Sequence, residues 1–431
     1  MHKSAILALA VCWIAAAQSP TSPAALVLNL QQAMERARAN SPEVLSANID
    51  TLLAREDTRQ AKAALLPTAN GFSQYIYTQP NGSPSGVFVS NDGAHVYNDQ
   101  FQVHGDIYAP SKIADYHKAQ LAAAVARAKY EIASRGLIST VVEDYYGMVG
   151  AARKFANSQQ SLREAQQFLD ITQKLEKGGE AAHYDTVKAE SQLLDRQRDV
   201  QEAQLAGDKA KLTFSVLLFP DFRQDFELVD DLDTVPSLPP FPEIQSKATT
   251  NSPDIRAAEA TVQQQRFEYR SVRGELLPSV SFDYFWGLNA NQFAAYNEFG
   301  QRNFGSSAQA QVNIPIWNWG ATRSRMRQAE LRIEQANNEL TLAQRQLLAN
   351  LHAFYLEAGV ANAQIATLRH SLDLANEALR LTLLRYQGGE GSVLEVVDAQ
   401  TTVVAARNAL EDGMVRYRLA VANLQTLTGA F

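Results

Sequence analysis

The chain has 431 residues, of which 46% are apolar and 20% are charged, and its net charge is −7. This length allows two or three domains and a sizeable buried core. The acidic balance does not favour the basic face that nucleic acid requires, so we expect no nucleic-acid partner.

The first 17 residues predict an export signal. Lys3 supplies a positive start, residues 5–16 are apolar, and the alanines at 15–17 suit a cleavage site. The apolar stretch is too short to span a bilayer, and no later stretch of the sequence predicts a transmembrane helix. Cys12, the only cysteine, lies in this signal. Its lipidation is an alternative to simple cleavage that Val11 at the preceding position disfavours. We therefore expect an exported chain without disulfides.

A first structural repeat is predicted over residues 18–235, and it begins with a helix. The alanine-rich segment from about Leu30 to Leu66 has helical apolar spacing and ends at Pro67. Apolar and polar residues then alternate, which predicts a β-hairpin over about 68–108. The Gly-, Ser- and Asn-rich residues 79–93 predict the exposed loop of this hairpin.

A long helical hairpin is predicted next, over about 112–219. Its first arm, from about Lys112 to Lys177, contains no proline and would reach on the order of 100 Å at 1.5 Å per residue. Gly178 and Gly179 mark the tip, because glycine ends helices readily in the left-handed conformation. A second helix returns from about Tyr184. A helix of this length does not fit in a compact globular domain.

The proline-rich residues 236–242 predict a stiff, extended linker between two halves of the chain. The acidic run before them, residues 230–233, is interpreted as a solvated surface and not as a binding site.

The second half, residues 243–431, repeats the first. Asn40-Ser41-Pro42-Glu43 returns 211 residues later as Asn251-Ser252-Pro253-Asp254, and Gly178-Gly179-Glu180 returns 210 residues later as Gly388-Gly389-Glu390. A duplicated unit of this size is half of a protein and not a solenoid repeat.

The second repeat predicts the same elements as the first. A β-hairpin is expected over about 279–317 and a helical hairpin over about 322–428, with Gly388 and Gly389 at its tip. Apolar residues between Leu368 and Tyr386 step by four and three, which is the spacing of a coiled-coil seam.

The predicted strands carry polar residues on one face and apolar residues on the other, as in a barrel with water inside and lipid outside. Four strands cannot close a membrane barrel, since single-chain barrels begin at about eight. Unpaired edges in lipid would cost several kcal/mol for each backbone group. We therefore expect a barrel shared with one or two further copies, with the long helices forming a hollow tube beneath it.

Several short motifs follow one another along the whole chain. They are residues 28–33 with Asn40-Ser41-Pro42-Glu43, the Leu-Leu-Pro ends of both first helices, and Tyr386-Gln387-Gly388-Gly389 with residues 392–400. In this order they resemble the TolC family of outer-membrane efflux proteins. The resemblance implies a mainly α-helical homotrimer whose 12-stranded β-barrel takes four strands from each chain and continues as a coiled-coil tunnel through the periplasm. The barrel would lie in the lipid of the outer membrane of a Gram-negative-type bacterium.

The same resemblance implies a function and partners. The chain would be a passive channel-tunnel that exports small molecules or proteins, supplied by a periplasmic adaptor (a membrane fusion protein) and an inner-membrane transporter. The helix tips at Gly178, Gly179, Gly388 and Gly389 would be where the adaptor docks.

Four side chains near the tips acquire roles from the resemblance. Glu395 and Asp398 share one helix face and would form acidic rings at the periplasmic entrance, where charged rings favour cations. A solvated helix face is the alternative for this pair. Tyr386 and Asp185 match positions that link the two helical hairpins and close the entrance in the family's type member. Gly391 stands where that member has an arginine, so we expect a closed state with fewer links.

Other classes of function are disfavoured. The sequence shows no nucleophile–base pair, phosphate loop or metal-ligand spacing, so we expect neither an enzyme nor a cofactor. A secreted hydrolase is disfavoured for the same reason. The main alternative is a periplasmic coiled-coil adaptor or scaffold without a channel. It would explain the helical hairpins and the export signal, but not two sets of alternating strands.

Overall fold

The computed structural model describes residues 26–77, 95–234 and 236–430. The predicted export signal with Cys12 and the whole of the predicted loop at 79–93 lie outside the described residues.

The described ranges contain eight helices and six strands. The helices are α1 (Leu30–Asn40), α2 (Pro42–Ala63), α3 (Pro110–Gly178), α4 (His183–Leu218), α5 (Phe241–Asn251), α6 (Pro253–Gly274), α7 (Ala321–Gln387) and α8 (Val393–Thr428). The strands are β1 (Leu26–Leu28), β2 (Thr68–Tyr77), β3 (His95–Tyr108), β4 (Phe226–Leu228), β5 (Ser279–Ala290) and β6 (Phe304–Asn313). The predicted fold class, a mainly helical chain with four long strands in two repeats, is confirmed.

The repeated Asn-Ser-Pro motif joins the two ends of each repeat. Asn40 Nδ2 donates to the carbonyl oxygen of Leu218 at the end of α4, at 2.6 Å. In the second repeat Asn251 Nδ2 donates to the carbonyl oxygen of Thr428 at the end of α8, at 3.1 Å. Each asparagine thus satisfies a carbonyl group that the helix itself leaves unpaired.

The prediction of one continuous helix from Leu30 to Leu66 is wrong. The chain breaks at Ser41, which is extended and whose hydroxyl accepts a hydrogen bond from the backbone of Val44 as the N-cap of α2. The break has a local cause, because Pro42 disfavours helical geometry at the residue before it and suits the first position of a new helix.

Two β-hairpins combine into one antiparallel sheet with the strand order β2-β3-β5-β6. The pairing of β3 with β5 joins the two repeats. This pairing requires glycine at Gly287, where a Cβ would lie 2.2 Å from the carbonyl oxygen of Asp99 on β3. Among the described residues, β2 and β6 each have one edge without a partner strand.

The register gives the sheet one apolar and one polar face. A row across the four strands on the apolar face consists of Ala69, Val103, Tyr284 and Ala308. The adjacent row, on the polar face, consists of Thr68, His104, Asp283 and Gln309. This alternation continues along most of each strand, and its exceptions include Phe72 and Phe285 as apolar residues on the polar face and Asp99 as a charged residue on the apolar face.

The helices form an open, single-layered array beneath the sheet. Near the strands the helices lie side by side in the order α2-α3-α6-α7, and towards the tips in the order α4-α3-α8-α7. The helices α3 and α7 have 69 and 67 residues and therefore reach on the order of 100 Å. No helix in the described ranges has both the length and the hydrophobicity needed to cross a bilayer.

The main hydrophobic core forms a belt around the middle of the long helices. It gathers buried side chains from α1, α3, α4, α5, α7 and α8 together with the short parallel strands β1 and β4. Its largest members include Tyr145, Tyr417 and Phe214, which are almost completely buried. The segment that connects the repeats is therefore packed onto the helices.

The three aspartates of the acidic run at 230–233 are 41–74% exposed, as expected for a solvated surface, but they are also paired. Arg153 of α3 binds Asp230 at 2.6 Å and Asp233 at 2.8 Å, and Leu232 between them is only 1% exposed. Asp231 accepts from Tyr146 and pairs with an arginine of α8. These contacts bind the segment between β4 and α5, which connects the two repeats, to α3 and α8.

Candidate functional site at the helix tips

The two helical hairpins turn with the same backbone geometry. The backbone N–H of Glu180 donates to the carbonyl of Leu175, and that of Glu390 donates to the carbonyl of Arg385. The left-handed position that closes each turn is the second glycine of its pair, Gly179 (φ 77°) or Gly389 (φ 73°).

The tips of the two hairpins pack against each other through a small apolar cluster. Tyr386 of α7 is 4% exposed and packs edge-on against Phe168 of α3, with ring centroids 5.4 Å apart. Val393 and Val396 of α8 and Ala189 of α4 complete the cluster. The helices α3, α4, α7 and α8 therefore all contribute to the cluster around Tyr386.

The structure brings Tyr386 and Asp185 together, as the sequence predicted. The Tyr386 hydroxyl donates to Asp185 Oδ2 at 3.5 Å, which is a long hydrogen bond between the two hairpins. Burial raises the pKa of the Tyr386 phenol, and the Asp185 carboxylate adds to this rise. The phenol therefore stays protonated and able to donate throughout the neutral range.

The two carboxylates of the predicted acidic ring lie in the first turns of α8. Ser392 is the N-cap of α8, and its hydroxyl accepts from the backbone N–H of Glu395 at 3.3 Å. Glu395 Oε2 also lies 3.3 Å from Arg385 Nη1. Asp398 is exposed, and among the described residues no ion pair or hydrogen bond involves its carboxylate. The two acidic groups thus share a helix face but differ in their surroundings.

Polar links between the hairpins continue above the tips, and the sequence did not reveal them. Arg407 of α8 binds Glu164 of α3 at 2.9 Å, and Arg196 of α4 donates to Thr401 of α8 at 3.1 Å. Such partners lie on different helices, far apart in sequence. Only the helical spacing of charged residues could have suggested them.

Two further links lie nearer the belt. Arg153 binds Glu411 at 3.2 Å, and Lys154 binds Asp412 at 2.6 Å. Burial raises the pKa of Glu411, against the opposing influence of Arg153. The links between α3 and α8 therefore extend from the belt towards the tips.

Among residues 26–77, 95–234 and 236–430, no three His, Cys, Asp or Glu side chains are grouped so that they could hold a metal ion.

The family model described as outer membrane efflux protein matches residues 33–218 and 244–430, one range in each predicted repeat. The chain belongs to the outer membrane efflux protein family. The resemblance inferred from the sequence motifs is therefore confirmed. The residues outside the match include β4 and the connecting segment.

Curated members of this efflux family are similar over most of their length. The alkaline protease secretion protein AprF of Pseudomonas aeruginosa is 21% identical over 413 residues, covering 94% of this chain and 85% of the relative. The outer membrane protein TolC of Escherichia coli is 20% identical over 421 residues, covering 93% and 82%.

Solved structures share the fold. The outer membrane channel CmeC of Campylobacter jejuni has a TM-score of 0.82 and 17% identity, with 93% of this chain and 85% of that chain covered. The outer membrane protein VceC of Vibrio cholerae has a TM-score of 0.82 and 16% identity, with 93% and 96% covered. The four-stranded sheet above a long helical array is therefore the architecture of outer membrane channels.

Proposed function

We propose that three copies of this chain form an export channel-tunnel that crosses the outer membrane and the periplasm. One observation supports this most strongly: a two-faced sheet, whose outer strands have no partner strand among the described residues, is continuous with an open array of helices about 100 Å long. Neither half of this architecture is complete in a single chain.

The unpaired strand edges support closure by further copies. β2 and β6 run in opposite directions, so β6 of one copy would pair antiparallel with β2 of the next. The apolar faces would then point outward to lipid and the polar faces inward to water. With four strands per chain, three copies give the 12-stranded barrel that the family resemblance implies, whereas two copies would give eight strands.

Exposed apolar stripes on the outermost helices support the same assembly. On α4 the stripe comprises Leu194, Leu205, Leu212 and Val216, and on α7 it comprises Leu356, Leu374 and Leu381. These residues are 47–69% exposed. Burying such side chains between copies would contribute roughly 25 cal/mol for each Å² removed from water.

The polar contacts at the tips support a gated entrance. The Tyr386–Asp185 hydrogen bond would hold the hairpins together in the closed state. The link that an arginine makes in the family's type member would be missing, because Gly391 occupies that position. Glu395 and Asp398 would form the acidic lining of the constriction. Gly178, Gly179, Gly388 and Gly389 would present the turns to the helical hairpins of a periplasmic adaptor, which would connect the channel to an inner-membrane transporter.

The cargo stays open between small molecules and proteins. Relatives named for protease secretion and for efflux occur at similar identity. No catalytic step is part of the proposal, because a conduit needs only a continuous lumen and a gate.

Fractionation with heat-modifiable gel mobility tests the proposal. We expect an outer-membrane, detergent-resistant trimer that forms ion-conducting pores in planar bilayers. A soluble monomer would instead support the periplasmic adaptor or scaffold.

Two neighbouring substitutions on β6 test the assignment of the faces. Ala308→Arg places a charge on the apolar face and should reduce barrel assembly, at a cost of about 2–4 kcal/mol if the residue lies mid-membrane. Gln309→Arg on the polar face is the matched control and should be tolerated. Equal assembly of the two variants would contradict the lipid-facing assignment.

A further inference from the structure

Arg385 lies in the last turn of α7, beside the carboxylate of Glu395. Its Nη1 is 3.3 Å from Glu395 Oε2, and its Nη2 donates to the carbonyl oxygen of Glu390 at 3.1 Å. The side chain thus connects the end of α7, the tip turn and the first turn of α8. The contact to the tip turn fixes the guanidinium next to Glu395.

Glu395 is held from its other side as well. The Ser392 hydroxyl lies 3.4 Å from Glu395 Oε1, while its oxygen accepts from the Glu395 backbone N–H. One carboxylate oxygen therefore faces the serine and the other faces Arg385. Asp398, three residues further on, has no such cation among the described residues.

The first repeat shows what the second would be without this arginine. Leu175 occupies the position that corresponds to Arg385, and Asp185 corresponds to Glu395. Asp185 accepts from Tyr386 across the hairpins, whereas Glu395 pairs with Arg385 inside its own hairpin. The two repeats have therefore diverged at one pair of equivalent carboxylates.

We propose that Arg385 determines the charge, and hence the ion selectivity, of the periplasmic entrance. It neutralises Glu395, so each chain contributes one net negative charge, that of Asp398, where the two carboxylates alone would contribute two. The ligands concerned are small inorganic cations and positively charged groups of the cargo. This inference rests on the proposed entrance ring of Glu395 and Asp398. It adds that Arg385, which is outside the ring, sets the net charge of the ring.

The exposure of the pair separates this role from a structural one. The side chains of Arg385 and Glu395 are 55% and 47% exposed. An ion pair in such a position contributes little to folding stability. The charge of Arg385 still acts on ions in the lumen, so removing this arginine should change the ion selectivity without changing the assembly of the trimer.

The test is the reversal potential of the purified full-length channel in planar bilayers across a KCl gradient. Arg385→Gln should raise the ratio of potassium to chloride permeability about five- to thirtyfold, because one unit charge across about 4–8 Å of water favours potassium and disfavours chloride by about two- to sixfold each. Glu395→Gln should lower the ratio, because it leaves the guanidinium uncompensated. The double variant should return towards the wild-type ratio, and Arg385→Lys should retain it.

Arg380→Gln is the matched control, because Arg380 pairs with Glu377 on its own helix at 2.7 Å. It removes the same charge further from the tip and should leave the ratio unchanged. Trimer mobility on gels shows that each variant assembles.

The outcomes separate the two levels of the proposal. If Arg385→Gln behaves like Arg380→Gln while Asp398→Asn lowers the ratio, the role of Arg385 is overturned and the acidic entrance stands. If neither Asp398→Asn nor Glu395→Gln changes the ratio, these residues do not line the constriction and the entrance ring itself is wrong.

Discussion

The hydrogen bond between Tyr386 and Asp185 offers the sharpest test of the gate. Tyr386→Phe removes the hydroxyl but keeps the ring, which packs against Phe168, Val393 and Val396. The variant should therefore lose the link between hairpins without losing the apolar cluster at the tip.

The expected magnitude follows from the length of the bond. At 3.5 Å it is longer than the usual range of about 2.5–3.0 Å for an O–H···O hydrogen bond, so we assign it the low value of about 0.5 kcal/mol. This corresponds to about twofold in the balance between closed and open entrances for one chain. If three chains open together, the contributions add to about 1.5 kcal/mol, or on the order of tenfold.

Single-channel recording in planar bilayers measures this balance. Tyr386→Phe should raise the mean conductance, and Asp185→Ala should do the same because it removes the other partner of the same bond. The double variant should exceed neither single variant by much, since one bond cannot be removed twice. The link between Arg407 and Glu164 stays intact in all three, so we expect opening to be partial.

Tyr184→Phe is the matched control. Tyr184 lies next to Asp185 in the sequence but is 61% exposed, so the loss of its hydroxyl should leave conductance unchanged. Wild-type conductance in Tyr386→Phe and Asp185→Ala would refute the gate. Fully additive effects would refute the direct bond between the two side chains.

Three further predictions concern stability. Arg153→Leu leaves the largely buried Glu411 without a cation and should lower the free energy of thermal unfolding of the helices by about 1–3 kcal/mol, while the exposed Arg198→Leu should lower it by less than about 0.5 kcal/mol. Gly287→Ala forces a Cβ against the β3 backbone and should reduce the yield of folded trimer on gels, whereas Gly305→Ala, with open space at its Cβ, should not. Burial raises the pKa of Tyr146 to about 12, so the stability it contributes should be lost as pH rises from about 10 towards 12. The free energy of unfolding, measured with urea at several pH values across that range, should fall less steeply with pH in Tyr146→Phe than in the wild type. An equal slope in the two proteins would contradict the raised pKa of Tyr146.

Much of the fold could be predicted because it depends on local patterns. Period-two alternation and long proline-free helical stretches are visible in the sequence without knowledge of any partner. The duplication revealed that these elements occur twice. The break at Ser41 was also local in cause, since Pro42 follows it, but its consequence for the helix was missed.

The acidic run is solvated, but the sequence did not reveal its partner. Residues 230–233 have the composition of a solvated surface, and no local pattern identifies Arg153 as their partner. That arginine lies on α3, about 80 residues earlier, and reaches them only because the connecting segment folds back over the belt. Contacts of this kind depend on tertiary packing.

The candidate site could likewise be predicted from the sequence only in part. The sequence by itself determined the two repeats, the glycine-marked tips and the acidic side chains on one face of α8, because helix and turn preferences depend on neighbouring residues. The family resemblance already paired Tyr386 with Asp185, and only the tertiary structure showed that Glu395 meets Arg385 within one hairpin. Equivalent carboxylates in the two repeats acquired different partners because charge pairing depends on distance in space, which the order of residues does not specify.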